Sequence, residues 1–483
     1  MIKDGKKIIV HNFLYNAIYR ILVMFIPLIT TPYITRVLGA DGLGRYSLSY
    51  SIASYFALFI LLGVENYGNR EIAKVKDNKA HLATTFWGIY GLQLLAASVV
   101  FIAYMVYCFT IANDLRMSIV MILYIISEAL NINWAFFGLE RFKLITIRNA
   151  VIKITSVICI FLFVHSSEDI VKYAMINVVG AFISQCILWL NVKNYIGFQR
   201  VQFKSILEHL KPNLQLFIPV IAVSLYTIMD KIMIGLITNN ENVGFYEAAE
   251  KIVNIPNILV ISLGTVMLPR VSNMIASGEN SGNKEYLRLS IKFVMFMVSS
   301  VGFGIMAIAR EFVPLFYGEG YEICCSLFFI LIPSRFFMAF ANVLRTQYLI
   351  PYNKDKTYIS SVVAGAAVNL LMNTLLISPF GSVGAAVGTL LAEATVCFVQ
   401  CFSIRKNINI LQLIWTSLPF IFVGVLMFII VSNIPFVGNT VLTIAIKVLV
   451  GASIYLGCIG TIALLKNKNP NLHTGSDKSQ TSA

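Results

Sequence analysis

The sequence predicts an all-α polytopic membrane protein with about fourteen transmembrane helices of roughly 20 residues each. Three observations lead there. Of 483 residues, 58% are hydrophobic and 12% are charged, whereas an average soluble domain carries about 25% charged residues. Apolar stretches long enough for a helical span recur along the whole chain. The basic residues gather in alternate connections between those stretches, as the positive-inside rule requires.

The expected spans are 13–35, 44–64, 84–108, 117–138, 145–165, 170–192, 213–237, 244–268, 289–309, 323–348, 358–378, 383–404, 412–432 and 440–465. Lys3, Lys6 and Lys7 precede the first apolar stretch, which is too long for a leader h-region and is read as a span. The fourth, eighth and tenth spans carry charges and are the weakest. With both termini cytoplasmic, the tails and inner loops hold 24 Lys and Arg residues. The outer loops hold 5, namely Arg36, Arg45, Arg116, Lys172 and Arg310. This asymmetry accounts for the net charge of +14 without a nucleic-acid partner. No loop is long enough for a soluble domain, and the polar tail at 466–483 is expected to be a disordered cytoplasmic segment.

No catalytic or nucleotide-binding motif is present: the sequence contains no Walker A loop, HExxH, GxSxG or GxGxxG. His11, His81, His165, His209 and His473 are scattered among tails and span ends. The eight cysteines fall in or beside apolar stretches and read as packing residues. No enzyme activity, cofactor or metal is expected.

Two segments match at an offset of 200 residues. Leu43-Gly44-Arg45-Tyr46 through Ile52 aligns with Val243-Gly244-Phe245-Tyr246 through Ile252, with Gly, Tyr and Ile coinciding. Each opens an even-numbered span, the second and the eighth. The halves would therefore repeat in parallel, with a substrate path between them.

A charge at mid-bilayer costs roughly 2.5–3.5 kcal/mol on insertion scales, yet many fall inside the expected spans. Asp230 and Lys231 lie at the same depth as Glu247, Glu250 and Lys251, a mixed-sign cluster that is either structural ion pairing or part of a gate. Arg20, Lys153 and Arg345 lie in the cytoplasmic third of their spans, and Arg335 and Glu128 near mid-depth. Basic residues at these depths suit an anionic substrate, since arginine grips phosphate oxygens in a bidentate fork. Snorkelling to the inner surface is the alternative for Arg20 and Arg345. Glu128 and Glu393 either titrate, as proton coupling would need, or hold helices together by hydrogen bonds. Lys447 completes the buried set.

Several stretches resemble a known family. They are Thr31-Pro32-Tyr33-Ile34-Thr35-Arg36-Val37-Leu38-Gly39, Tyr67-Gly68-Asn69-Arg70-Glu71-Ile72-Ala73-Lys74, Asp230-Lys231-Ile232-Met233-Ile234-Gly235, the segment from Val243 to Ile252, Met267-Leu268-Pro269-Arg270, and Val383-Gly384-Ala385-Ala386 with Glu393. The chain resembles the Wzx-type polysaccharide-biosynthesis flippases of the MATE-like superfamily of multidrug, oligosaccharidyl-lipid and polysaccharide exporters. The resemblance implies two six-helix lobes, at 1–200 and 201–405, with two further helices at 406–465. It implies alternating access in the bacterial cytoplasmic membrane. The implied substrate is an undecaprenyl-diphosphate-linked oligosaccharide carried to the outer leaflet, with a polysaccharide polymerase and glycosyltransferases as possible partners. Arg20, Arg335, Arg345, Lys153, Lys231 and Lys251 are then the substrate-binding candidates. Glu128, Asp230, Glu247, Glu250 and Glu393 are the candidates for coupling or gating. A peptidoglycan-precursor flippase and a cation-coupled drug antiporter of the same superfamily are the rival readings. A membrane polymerase or ligase fits less well, because the outer loops are short.

Overall fold

The computed structural model describes the backbone over residues 2–276 and 280–468. It describes side chains over 25–275 and 285–465, apart from residues 226, 259, 265, 266, 269, 273 and 463. The tail beyond residue 468 and the side chain of Arg20 lie outside the described residues.

The described residues are helical almost throughout. In chain order the helices are α1 (Ile2–Leu61), α2 (Val64–Val75), α3 (Lys79–Thr110), α4 (Leu115–Ala129), α5 (Asn133–Gly138) and α6 (Phe142–Phe163). Next come α7 (Ile170–Val192), α8 (Phe203–Glu208), α9 (Leu210–Thr227), α10 (Met229–Ile237), α11 (Asn240–Val253) and α12 (Ile255–Ala276). The last are α13 (Asn280–Tyr317), α14 (Ile323–Leu344), α15 (Asp355–Phe380), α16 (Ser382–Ile404), α17 (Ile410–Ser432) and α18 (Thr440–Lys468). This is the expected all-α membrane architecture. Helices suit it because each satisfies its own backbone hydrogen bonds where no water is available.

Among the described residues, eleven helices are long and apolar enough to cross a membrane, or twelve if α9 and α10, bent by 44°, form one span. Every expected span falls largely on helix, but the segmentation differs in four places, one of them the fourth span, which divides between α4 and α5 at residues 130–132. The first two spans form one helical stretch whose sole non-helical residue is Gly39, at φ 68° and ψ −178°. That region of backbone space is essentially open only to glycine. The seventh span breaks at Ile228, between α9 and α10, and the eighth divides between α11 and α12 at Asn254.

Where helices stop, side chains close their ends. Asn78 caps α3 by accepting from the amides of Ala80 and His81, and Asp114 caps α4 by accepting from that of Met117. The far end of α4 is buried, and Gln93 serves it. Its amide donates to the carbonyls of Glu128, Ala129 and Asn131 at 3.2, 3.1 and 2.9 Å, in the last turn and just beyond it, where helix carbonyls run out of intrahelical donors. The Gln93 carbonyl accepts in turn from Trp134 Nε1 at 3.1 Å.

The chain forms two compact units: Met1–Ile252 with Val362–Ala392, and Val253–Ser361 with Glu393–Ala483. An aromatic core that includes Phe86, Tyr90, Trp134 and Leu188 holds the first. Cores around Ile291, Val294, Phe340 and Leu344 and around Val423, Met427 and Tyr455 hold the second.

Candidate functional site

In the first unit the two repeat segments touch. A side chain added at Gly44 would strike the backbone carbonyl of Asn240, and one added at Gly244 would strike that of Ala40. These are one contact seen twice: 44 with 240 and 40 with 244, each related by 200 residues. Such reciprocity is the signature of contact across a two-fold axis, here a pseudo-two-fold within one chain. Ser47, whose repeat mate is Glu247, donates a 2.9 Å hydrogen bond to that mate. Glycine is required at 44 and 244 because the backbones meet there with no room for a β-carbon.

The charges of α10 and α11 are organised around this contact. Lys231 bridges Glu247 at 2.6 Å and Glu250 at 2.8 Å, and Lys251 pairs with Glu247 at 3.2 Å. The four side chains form a closed, largely buried network of zero net charge. Asp230 takes no part in it. One helical residue is a turn of about 100°, and this aims Asp230 into the opposite wall. There, 1% exposed, it accepts from the Tyr246 hydroxyl at 2.8 Å, Thr389 Oγ1 at 2.6 Å and Asn373 Nδ2 at 2.7 Å. Asn373 Nδ2 also donates to Asn369 Oδ1 at 3.2 Å. The expected mixed-sign cluster therefore separates into an ion-pair network and a lone carboxylate held by neutral donors.

Two cavities lie alongside. One, of about 230 Å³, is lined by Tyr46, Tyr50, Tyr124, Asn149, Lys153 and Asn177 among others. The other, of about 330 Å³, is lined by Tyr50, Ser54, Tyr124, Glu128 and Lys231 among others. Glu128 accepts from Asn131 Nδ2 at 2.8 Å. Lys153 is exposed, and no carboxylate lines its cavity. Behind that cavity the buried Arg148 donates to Asn149 Oδ1 at 2.7 and 3.1 Å, to Asn133 Oδ1 at 2.8 Å and to the Ser184 carbonyl at 3.2 Å.

The second unit holds the remaining candidates. Arg335 is buried on α14. Its Nε has no hydrogen-bond partner, and its Nη1 faces the Met338 sulfur at 3.9 Å. Arg345 opens a π-turn, Arg345–Leu349, where its Nη1 donates to the Tyr358 hydroxyl at 3.3 Å and its guanidinium sits 5.5 Å from that ring's centre. Glu393 is buried on α16. Lys447 pairs with Glu311 at 2.6 Å. Sequence reasoning missed Arg148, which falls near the edge of an expected span. It also missed the tyrosine wall, although Tyr46 and Tyr50 stand four residues apart and hence on one helix face.

The profile of the polysaccharide biosynthesis protein family matches residues 9–275. A protein of Escherichia coli (strain K12) named for O-antigen transport is 24% identical over 407 residues, 82% of this chain and 96% of its own. A Shigella dysenteriae protein of the same name is 26% identical over 395 residues, 78% of this chain and 96% of its own. The Haloferax volcanii protein Agl15, named as a flippase of low-salt glycan biosynthesis, is 27% identical over 169 residues, 35% of this chain and 36% of its own. Among solved structures, the lipid II flippase MurJ in an inward closed conformation superposes with a TM-score of 0.78 at 14% identity, over 95% of this chain and 99% of its own. An inward-facing multidrug MATE transporter reaches 0.55 at 12% identity, over 80% and 99%. The structures establish the fold, the profile match extends over more than half of the sequence, and the chain belongs to the polysaccharide biosynthesis protein family.

Proposed function

We propose that this protein is a flippase for undecaprenyl-diphosphate-linked oligosaccharide repeat units, moving them from the cytoplasmic to the outer leaflet by alternating access for cell-surface polysaccharide export. Lys153 carries the reading: a cation at membrane depth, facing a cavity with no carboxylate in its wall. Such a cavity suits an anionic headgroup and repels the cationic substrates of a drug antiporter. Relatives named for O-antigen transport, aligned over nearly their whole length, support the glycan-lipid class.

The roles divide accordingly. Lys153, Arg335 and Arg345, with Arg20 from the first span, are the diphosphate-binding candidates of the two lobes, taken as 1–200 and 201–405. Lys231 and Lys251 spend their charge on Glu247 and Glu250, so these four form the gate that closes where Gly44 and Gly244 meet. Asp230, Glu128 and Glu393 are the coupling candidates.

The test is translocation of undecaprenyl-diphosphate-linked oligosaccharide in proteoliposomes. Two net charges leaving a negative interior gain about 4.6 kcal/mol per 100 mV, at roughly 2.3 kcal/mol per charge. The expected result is translocation that depends on potential or on a proton gradient, separated by valinomycin and then nigericin, and that is indifferent to ATP. Translocation no faster than in protein-free liposomes overturns the proposal. Equal rates with both gradients collapsed overturn the coupling and leave passive equilibration.

A further inference from the structure

The cavity around Lys153 holds chemistry that neither the gate nor the Asp230 node uses. Its volume, about 230 Å³, is below the roughly 300–1,000 Å³ of drug-sized sites, and liquid water takes about 30 Å³ per molecule. That is room for one small ring. One wall is aromatic: the Tyr46 and Tyr50 rings stack at 5.8 Å and 15°, and Tyr50 meets Tyr124 at 5.0 Å. Each tyrosine offers an apolar face and a hydrogen-bonding tip, the combination that a pyranose, with its C–H faces and rim of hydroxyls, requires.

The lining also carries a donor surface. The Arg148 guanidinium holds Asn149 Oδ1 with two hydrogen bonds, which fixes the amide and leaves Nδ2 to donate. The Lys153 ammonium has three donors and no acceptor. No aspartate or glutamate lines the cavity, so the positive charge there is complemented only when a ligand brings a negative one.

We propose that this cavity is a saccharide subsite. It receives the first sugar ring of the lipid-linked glycan against the tyrosines, while Lys153 and Asn149 take an anionic group on or next to that ring. Two sources share this chemistry, the phosphate that links sugar to lipid and the carboxylate of an acidic sugar. The inference rests on the flippase reading and goes beyond it by naming the part of the substrate that is read and the residues that read it.

The experiment measures binding to the full chain in nanodiscs by thermophoresis. Three probes are used: farnesyl diphosphate-linked N-acetylglucosamine, farnesyl diphosphate alone, and methyl glucuronide. Lys153→Met is expected to weaken at least one probe about tenfold, equivalent to roughly 1.4 kcal/mol, while Lys153→Arg stays within about threefold. Tyr46→Leu is expected to weaken only the sugar-bearing probes. A Lys153→Met loss on both diphosphate probes assigns the anion to the linkage phosphate. A loss on methyl glucuronide alone assigns it to an acidic sugar. Variants that melt at or above the wild-type temperature show that the loss is local. If the wild type binds probe and both Lys153→Met and Tyr46→Leu bind it equally well, the subsite is overturned and the flippase reading survives. If the wild type binds none of the three, both fall together.

Discussion

Asp230 offers a direct test of the hydrogen-bond logic, because two substitutions that remove the same charge have different expected costs. The carboxylate accepts from Tyr246, Thr389 and Asn373, and a negative acceptor fixes the amides behind it. Asn373 must present Nδ2, and Asn369 must then present Oδ1. The far ends of that chain, Asn373 Oδ1 and Asn369 Nδ2, are accordingly buried without partners. In Asp230→Ala all three donors lose their acceptor. Thr389 falls back on the Ala385 carbonyl at 3.1 Å, and Tyr246 on Thr389 at 2.9 Å. One buried Asn373 N–H stays unsatisfied, so the variant loses about 1–3 kcal/mol. In Asp230→Asn the new amide keeps its oxygen on Tyr246 and Thr389 and turns its nitrogen toward Asn373. Asn373 and Asn369 then both flip, so the number of bonded groups is kept while the atom of each amide left without a partner changes. The cost is under about 1 kcal/mol. Thermal melting of the detergent-solubilised variants reads the difference: Asp230→Asn near wild type, Asp230→Ala several degrees lower. Surface glycan reads function, and if Asp230 couples transport its asparagine variant is stable and inactive. Equal destabilisation by the two substitutions would refute the reversible amide chain, and normal glycan from Asp230→Asn would remove Asp230 from coupling.

Two further outcomes follow from the repeat contact and the network beside it. Gly244→Val places a side chain against the Ala40 carbonyl. It should hold the segments apart, abolish glycan export and raise thiol labelling of a Ser47→Cys reporter; unchanged labelling would mean that the close approach does not seal the site. Lys231→Met strips two glutamates of their shared partner and should cost about 3–5 kcal/mol, the usual penalty for breaking a buried pair. Adding Glu250→Gln should recover part of that, and a double variant melting below the single one would contradict the pairing.

The helices were legible in the sequence because a span needs only length and apolarity, and each expected span falls largely on helix. Their ends were less legible. Residues 36–43 read as a loop because Arg36, Gly39 and Asp41 interrupt the apolar run, yet backbone hydrogen bonding continues through polar side chains and breaks only where Gly39 leaves helical geometry. Depth counting correctly placed Lys231 with Glu247, Glu250 and Lys251. It could not show that Asp230 points elsewhere, since depth along a helix says nothing about azimuth. The offset of 200 was visible as three coincident residues, but its reciprocity, 40 with 244 and 44 with 240, requires coordinates. The tyrosine wall escaped notice for a compositional reason. In an apolar span an aromatic residue reads as packing or as lipid contact, and only the cavity shows these rings lining one space with Asn149, Asn177 and Lys153.

The distribution of compensated and uncompensated charge separates structural residues from functional ones and yields an opposite pair of stability effects. Lys231, Lys251 and Lys447 each meet a glutamate, so their charges are settled within the protein and their removal destabilises it. Lys153 and Arg335 meet no carboxylate among the described residues, and the Arg335 Nε lacks even a neutral partner. Holding such a charge at membrane depth costs roughly 2.5–3.5 kcal/mol, and a hydrophobic side chain of similar length would cost nothing. A protein that keeps them accepts lower stability for function, and under the proposed flippase function the missing counter-charge would arrive with the substrate. Lys153→Met and Arg335→Met should therefore melt at higher temperature than wild type while export falls. Added lipid diphosphate should raise the melting temperature of the wild type more than that of either variant, because a ligand stabilises only the state it binds. If both methionine variants melt lower than wild type, the two cations are serving the fold, and the case for a cationic substrate path loses its energetic basis.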